Sequence, residues 1–206
     1  LTTTGDGDIA IGAQIDAAGD AVVITAADDV NTNTGGAVAA GSLAVTAGGD
    51  IDLAGLDVQI ITATSGGDLF MEINSALAVT IPNLIVNGIG DIVFRQLGVG
   101  PVTFTTVTTA SGDILLSANT ANLIVGGTVT AGGAGDVRIT TGAPGNVVLT
   151  GTTTADGDAV SISAGGSING AGTVTAADVT LIGGTGVGDT TALSLAADRV
   201  TVQNAA

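Results

Sequence analysis

Aspartate recurs along the chain, mostly after glycine or alanine, at spacings of 18 to 23 residues. The series comprises Asp8, Asp28, Asp50, Asp68, Asp91, Asp113, Asp136, Asp158, Asp178 and Asp198. If a repeating fold stacks such carboxylates about 4.8 Å apart, they repel one another, and Ca²⁺ would relieve that repulsion. The candidate ligands are Asp91, Asp113, Asp136 and Asp158. The simpler interpretation is that each aspartate caps a corner by accepting bonds from nearby backbone amides, which predicts no metal and no cofactor.

The adjacent residues Asp28 and Asp29 are the candidates for catalysis. Two carboxylates can hydrolyse a glycosidic bond, and this pair resembles the paired aspartates of pectin-degrading hydrolases. The chain has no His, Lys or Cys to act as base or nucleophile, and no Trp or Tyr to form a sugar platform. We therefore interpret the pair as a solvated corner and expect no enzyme, with a polysaccharide-active enzyme as the third choice of function.

Threonine pairs follow the aspartates at offsets of 15 and 17 residues. The positions are Thr106/Thr108, Thr128/Thr130, Gly151/Thr153 and Thr173/Thr175. Stacked in successive coils, they would form a face that resembles the water-ordering ladder of ice-binding β-solenoids, with an interruption at Gly151. Threonine is also favoured at outward strand positions for purely structural reasons. A specific binding face for ice or carbohydrate is therefore the alternative function.

The charge of the chain excludes two classes of partner. The 206 residues carry a net charge of -16, and the only basic residues are Arg95, Arg138 and Arg199. Binding to nucleic acid or to an anionic membrane needs a basic surface, so neither is expected. No stretch of about 20 apolar residues occurs, which predicts no membrane insertion.

Apolar runs recur with the same period as the aspartates and predict the fold. The first run of each repeat contains Ile92/Phe94, Ile114/Leu116 or Val137/Ile139. The second run lies at Val79, Val102, Ile124 and Val147, and the third at Leu84, Val107, Val129 and Thr152. Three short strands per repeat, without room for crossover helices, predict one all-β domain over residues 1–206. We expect a right-handed parallel β-helix of nine to ten coils of about 22 residues, with a thin aliphatic interior and with Asp52, Arg138 and Thr180 outward.

The amino-acid sequence of the repeats resembles that of a known group of bacterial proteins. The forms GDIDL, GDIVF, GDILL and GDVRI lie in Thr/Ala/Gly-rich text such as AVTAGGDIDLAG. They are similar to the repeats of filamentous haemagglutinin-type exoproteins and autotransporter passengers. The resemblance implies a β-helix that is secreted to the bacterial cell surface or a filament and serves as an adhesin or fibre. A host or surface glycan receptor is the partner that it implies.

The residues at both ends of the sequence, LTTTGDGDIAI and ADRVTVQNAA, also follow the repeat pattern. A solenoid that ends in water leaves strand amides unpaired and its apolar interior open. We therefore expect this segment to continue end to end, either as adjoining repeats of a longer chain or by stacking of copies. The first choice of function is a structural, non-enzymatic, adhesin-like rod.

Overall fold

The computed structural model describes residues 1–156 and 158–204. These residues form 21 β-strands and no helix, and the strands pair in parallel. They wind into a β-solenoid of about nine coils with a spacing of roughly 21 residues. The predicted parallel β-solenoid is confirmed. A helix that could span a membrane is not found in the described part of the chain.

The strands are short and follow one another closely. The first seven are β1 (Ile9–Ile11), β2 (Gln14–Ala26), β3 (Val30–Thr32), β4 (Ala37–Ala47), β5 (Ile51–Ser65), β6 (Leu69–Ile73) and β7 (Val79–Ile89). The next seven are β8 (Ile92–Gln96), β9 (Val102–Ser111), β10 (Ile114–Ala118), β11 (Leu123–Ala131), β12 (Val137–Thr141), β13 (Val147–Leu149) and β14 (Thr152–Ala155). The last seven are β15 (Ala159–Ala164), β16 (Ser167–Asn169), β17 (Thr173–Thr175), β18 (Asp178–Gly183), β19 (Gly186–Val187), β20 (Ser194–Ala196) and β21 (Arg199–Asn204).

Each coil has three faces, which β8 and β9 illustrate. The first face is β8, the second is residues 102–104 of β9, and the third is residues 106–109 of β9. Each face pairs in register with the same face of the next coil, as Ile92, Ile114 and Val137 do on the first face. The coils are therefore joined by three sets of parallel backbone hydrogen bonds.

The interior is a narrow stack of aliphatic side chains. In β6 the residues Leu69, Met71 and Ile73 are buried, and the residues between them point outward, as the two-residue period of a strand requires. Phe94 and Phe104 are the largest buried side chains, and their rings meet edge to face with centroids 5.1 Å apart. The predicted thin aliphatic interior is confirmed.

Three positions tested the predicted orientation of the strands. Asp52 and Arg138 are exposed, as expected. Thr180 is half-buried but outward, since it pairs with Ser161 and alternates with buried residues of β18. These predictions are confirmed.

One inward position of the second run was misassigned by a residue. Leu123 pairs with Val102 and Val147, whereas Ile124 points outward and is only half-buried. The corner before β11 has one residue fewer than the corner before β9, so a count of eleven from Asp113 overshoots. Counting from a repeated residue thus fails wherever corner length varies.

Candidate functional site

A continuous column of carboxylates runs along the corner before the first face. We call it the aspartate ladder, and its members are Asp8, Asp29, Asp50, Asp68, Asp91, Asp113 and Asp136. The Oδ1 atom of each accepts a hydrogen bond of 2.7 to 3.3 Å from the backbone N–H at the same position in the next coil. These aspartates accept backbone amides, as predicted, but each amide belongs to the neighbouring coil and not to the corner of the aspartate itself.

The glycine before most ladder aspartates is required by close packing between coils. A Cβ on Gly67 would lie 2.0 Å from Oδ1 of Asp50. One on Gly112 would lie 2.1 Å from the carbonyl oxygen of Gly90, and Gly112 also has φ of +149°, which other residues rarely adopt. The recurrent Gly-Asp pair therefore has a structural cause, because aspartate bonds to the next coil and glycine lets that coil approach.

Three aspartates of the repeat series lie one residue before the ladder column. The ladder positions next to Asp28, Asp158 and Asp198 are held by Asp29, Ala159 and Arg199. Asp158 is consequently not aligned with the other three candidate calcium ligands. In those three the Oδ1 atom already accepts a backbone N–H, so a cation would have to bind the second carboxylate oxygen.

Asp178 resumes the column one coil beyond Ala159 and pairs with Arg199. The Nε atom of Arg199 donates to Oδ1 of Asp178 at 2.7 Å, and a second guanidinium nitrogen donates to Oδ2. The side chains are 74% and 42% exposed, respectively. The hydrogen bond from Arg199 lowers the pKa of Asp178 below its ordinary value. On β21 the column therefore ends in a cation.

The candidate catalytic pair lies beside the first member of the ladder. Oxygen atoms from Asp8, Asp28 and Asp29 lie within 4.8 Å of one another. Repulsion, chiefly by Asp29, raises the pKa of Asp28. Asp28 is exposed, and Oδ1 of Asp29 already accepts the backbone N–H of Asp50. This geometry is that of a solvated acidic corner.

The predicted threonine array contains one error of register. Thr153 is fully buried and pairs with inward Val129, so its assignment to an exposed face is wrong. Thr152, which the spacing placed inward, is exposed instead. Two residues link the second and third faces in this coil, against one in β9, and this extra residue shifts the count.

The true register gives an uninterrupted double column of hydroxyl groups on the third face. We call it the threonine face, with columns Thr106–Thr128–Thr152–Thr173 and Thr108–Thr130–Thr154–Thr175. Gly151 lies before the strand and does not interrupt it. The two columns are about 6.6 Å apart, and coils repeat about every 4.8 Å. Asn83/Ile85 flank the face on one side and Ser194/Ala196 on the other, so none of these outward positions in the described strands is ionisable.

A depression of about 520 Å³ lies on the second face in the C-terminal half. We call it the asparagine groove, and its lining includes Asn122, Asn146, Val148, Ser167, Asn169 and Ala171. The Oδ1 atom of Asn146 accepts the N–H of Ser167 at 2.7 Å, so a second ladder fixes these side chains. The sequence reasoning missed this groove. Its signal was the recurrence of asparagine 24 residues apart, at Asn122 and Asn146, just before an apolar run.

Comparison with known proteins adds no assignment to these surfaces. No family model, curated protein or solved structure matches the chain. The aspartate ladder joins coils, the threonine face presents a regular array of hydroxyl and methyl groups, and the asparagine groove presents fixed amides.

Proposed function

We propose that the protein is a non-enzymatic, adhesin-like structural rod of a bacterial extracellular or cell-surface fibre, whose units associate end to end. The observation that carries this proposal is the repetition of one junction, three strand pairings and a ladder bond, from coil to coil. A scaffold of equivalent junctions lengthens by the addition of coils. The resemblance of the Gly-Asp repeats to haemagglutinin-type exoproteins and autotransporter passengers supports secretion to the cell surface.

The outer edge of β21 supports association between units. It pairs with β18 on one side, and its other edge has no strand partner in the described part of the chain. Val200 and Val202 continue the inward register of Val179 and Leu181, yet they are 45% and 51% exposed. Another coil on this edge would pair the backbone groups and cover both valines. That coil can belong to the same chain or to a second copy.

The charges that the first coil and β21 place in the ladder column favour a head-to-tail orientation of stacked copies. Arg199 occupies the ladder column on β21, and Asp8 occupies it in the first coil. In a head-to-tail stack, Asp8 of the next copy would follow Arg199, so the guanidinium would lie between two carboxylates. Repulsion among the other aspartates is screened beyond about 8 Å at physiological salt.

Sedimentation velocity and negative-stain electron microscopy over a range of concentrations test this association. We expect rods that lengthen with concentration. Arg199→Glu should weaken the association, whereas Arg138→Glu makes the same change of charge at an exposed mid-rod position and should not. A monomer at every concentration would contradict the stacking of copies.

The non-enzymatic part of the proposal has its own test. We expect the purified chain to release no reducing ends from neutral or acidic polysaccharides, because its carboxylate pair is solvated and has no accompanying base of another type. Turnover that either Asp28→Asn or Asp29→Asn abolishes would establish the enzyme interpretation instead.

A second candidate function is ice binding by the threonine face. The uninterrupted double column favours it, because eight aligned threonines place hydroxyl and methyl groups at two fixed spacings with no ionisable residue within the array. Inhibition of ice recrystallisation is the measurement. The double variant Thr128→Leu/Thr130→Leu should abolish it, and Thr140→Leu/Thr180→Leu on the first face should not. If the unmodified protein does not inhibit ice recrystallisation, ice binding is not its function.

A further inference from the structure

The asparagine groove is uncharged within a strongly acidic chain. None of its lining residues is ionisable, although the protein has a net charge of -16. It is an open, shallow depression of about 520 Å³, so a ligand would lie along it and would not be enclosed. Such a surface suits a ligand that is polar but carries no charge.

Hydrogen bonds between coils hold the amides of the groove in fixed orientations. Asn146 donates from Nδ2 to Oδ1 of Asn122 at 3.1 Å, and its own Oδ1 also accepts the hydroxyl of Ser167. Asn169 donates to the same hydroxyl at 2.9 Å and accepts the N–H of Thr190 at 3.1 Å. A ligand therefore meets polar groups that lose little side-chain freedom on binding.

Unused hydrogen-bonding groups remain along this ladder. In the described residues, Nδ2 of Asn122 and the hydroxyls of Thr190 and Thr191 make no hydrogen bond. An amide nitrogen donates, and a hydroxyl both donates and accepts. Sugar hydroxyls have the same dual character, so they can pair with all three groups.

The rest of the groove lining consists of small aliphatic side chains. Val148 and Ala171 contribute methyl groups, which can contact the C–H face of a sugar ring. Gly170 lies between the second and third faces with φ of +130°, and a Cβ there would lie 1.9 Å from the carbonyl oxygen of Leu149. The corner can accommodate only glycine, which keeps this part of the groove open.

We propose that the asparagine groove binds a neutral oligosaccharide. Phosphorylated ligands and acidic polysaccharides would meet a chain of net charge -16 without a cation in the groove. An extended peptide would need a free strand edge, whereas β13 and β16 are paired with neighbouring coils. The inference deepens the adhesin-like part of the proposed function and rests on it, since it names the class of receptor.

Titration calorimetry with the 206-residue chain tests the groove, using cellohexaose, maltohexaose and chitohexaose as neutral probes and hexagalacturonate as the acidic comparison. We expect saturable, salt-insensitive binding of a neutral probe and none of hexagalacturonate. Asn169→Asp introduces a charge without a change of shape, and Ala171→Trp fills the groove. Each should weaken binding at least about tenfold.

The matched controls are Asn87→Asp and Ala110→Trp, which make the same substitutions at exposed positions outside the groove. They should leave binding within about twofold. Failure of every neutral probe to bind, equal binding of hexagalacturonate, or equal effects of groove and control variants would overturn the proposal. Sedimentation of the same samples separates the two ideas, because end-to-end association without glycan binding would refute the groove and leave the rod intact.

Discussion

The carboxylate of Asp113 accepts a hydrogen bond from the backbone N–H of Asp136, one coil further along the rod, at 2.9 Å. A side chain here performs a task that strand pairing performs elsewhere, because the corner residues have no strand partner for that N–H. The ladder bond thus extends the hydrogen bonding between coils into a corner. Removal of one ladder carboxylate is therefore a local change with a measurable effect on stability.

Asp113→Ala should destabilise the protein by about 0.5–1.5 kcal/mol, since one inter-coil hydrogen bond is lost. Asp113→Asn keeps an acceptor oxygen and removes one negative charge, so it should be neutral or stabilising. Denaturant unfolding measures both, with exposed Asp52→Ala as the control. Equal losses for alanine and asparagine would contradict a role for the acceptor.

Thr153→Val should stabilise the protein by about 1–3 kcal/mol. The hydroxyl of Thr153 is buried and has no hydrogen-bond partner among the described residues, so valine removes an unsatisfied group at the same shape. Thr141→Val is the matched contrast, because that buried hydroxyl donates to the carbonyl oxygen of Gly145 at 2.8 Å. Melting temperatures should therefore move in opposite directions, and a fall for Thr153→Val would refute the buried register.

Gln96→Leu should destabilise the protein by at least about 3 kcal/mol, because several buried backbone groups lose their partner at about 1–3 kcal/mol each. The amide nitrogen of Gln96 donates to the carbonyl oxygens of Ser75 and Gly100 at 3.0 and 2.9 Å. Its oxygen accepts the N–H of Gly98 at 3.1 Å. Exposed Gln59→Leu is the control. Similar unfolding midpoints for the two variants would show that Gln96 does not hold the corners together.

Asp28→Asn should raise the melting temperature at neutral pH and low salt. Repulsion by Asp29 raises the pKa of Asp28 above its ordinary value, so the folded protein binds this proton more tightly than the unfolded chain does. The stabilisation is present at low pH and is lost as the pH rises through the folded pKa. The benefit of asparagine should therefore vanish below the pKa and shrink in high salt.

Thermal melts between about pH 3 and pH 7 measure this effect, with Asp52→Asn as the control. A benefit that persists unchanged at about pH 3 would mean that relief of charge repulsion is not its cause.

Much of the architecture follows from sequence because the first face repeats faithfully in the central coils. Ile92, Ile114 and Val137 fall at the same distance after their aspartates, so strand, orientation and stacking could all be predicted. The second and third faces were less predictable, since a single extra or missing corner residue moved Leu123 and Thr153 to positions that counting assigned to their neighbours. Because side chains alternate between the two faces of a strand, an error of one residue in the count exchanges the buried and exposed positions.

The surfaces were harder to predict than the core. The aspartate ladder was visible as a repeat, but the identity of its donor was not, because the amide comes from a residue about 22 positions away. The asparagine groove is lined by residues of four successive coils, and only the stacking of these coils brings Asn122, Asn146 and Asn169 together. The sequence shows each asparagine separately, whereas the groove forms only when the asparagines of successive coils are stacked.

Ala159 interrupts the aspartate ladder, and this single methyl group has a mechanical consequence. The hydrogen bonds between coils run along the axis of the rod, so tension on its two ends loads the junctions in series, and the bonds within each junction share that load. At this junction the N–H of Asp178 donates to the backbone carbonyl oxygen of Asp158 at 3.2 Å, so the hydrogen bond remains but its acceptor is uncharged. Hydrogen bonds to a charged group are the stronger ones, so this junction is weaker than its neighbours. Force should therefore open the rod first on the C-terminal side of β15, leaving the seven-rung part of the ladder closed.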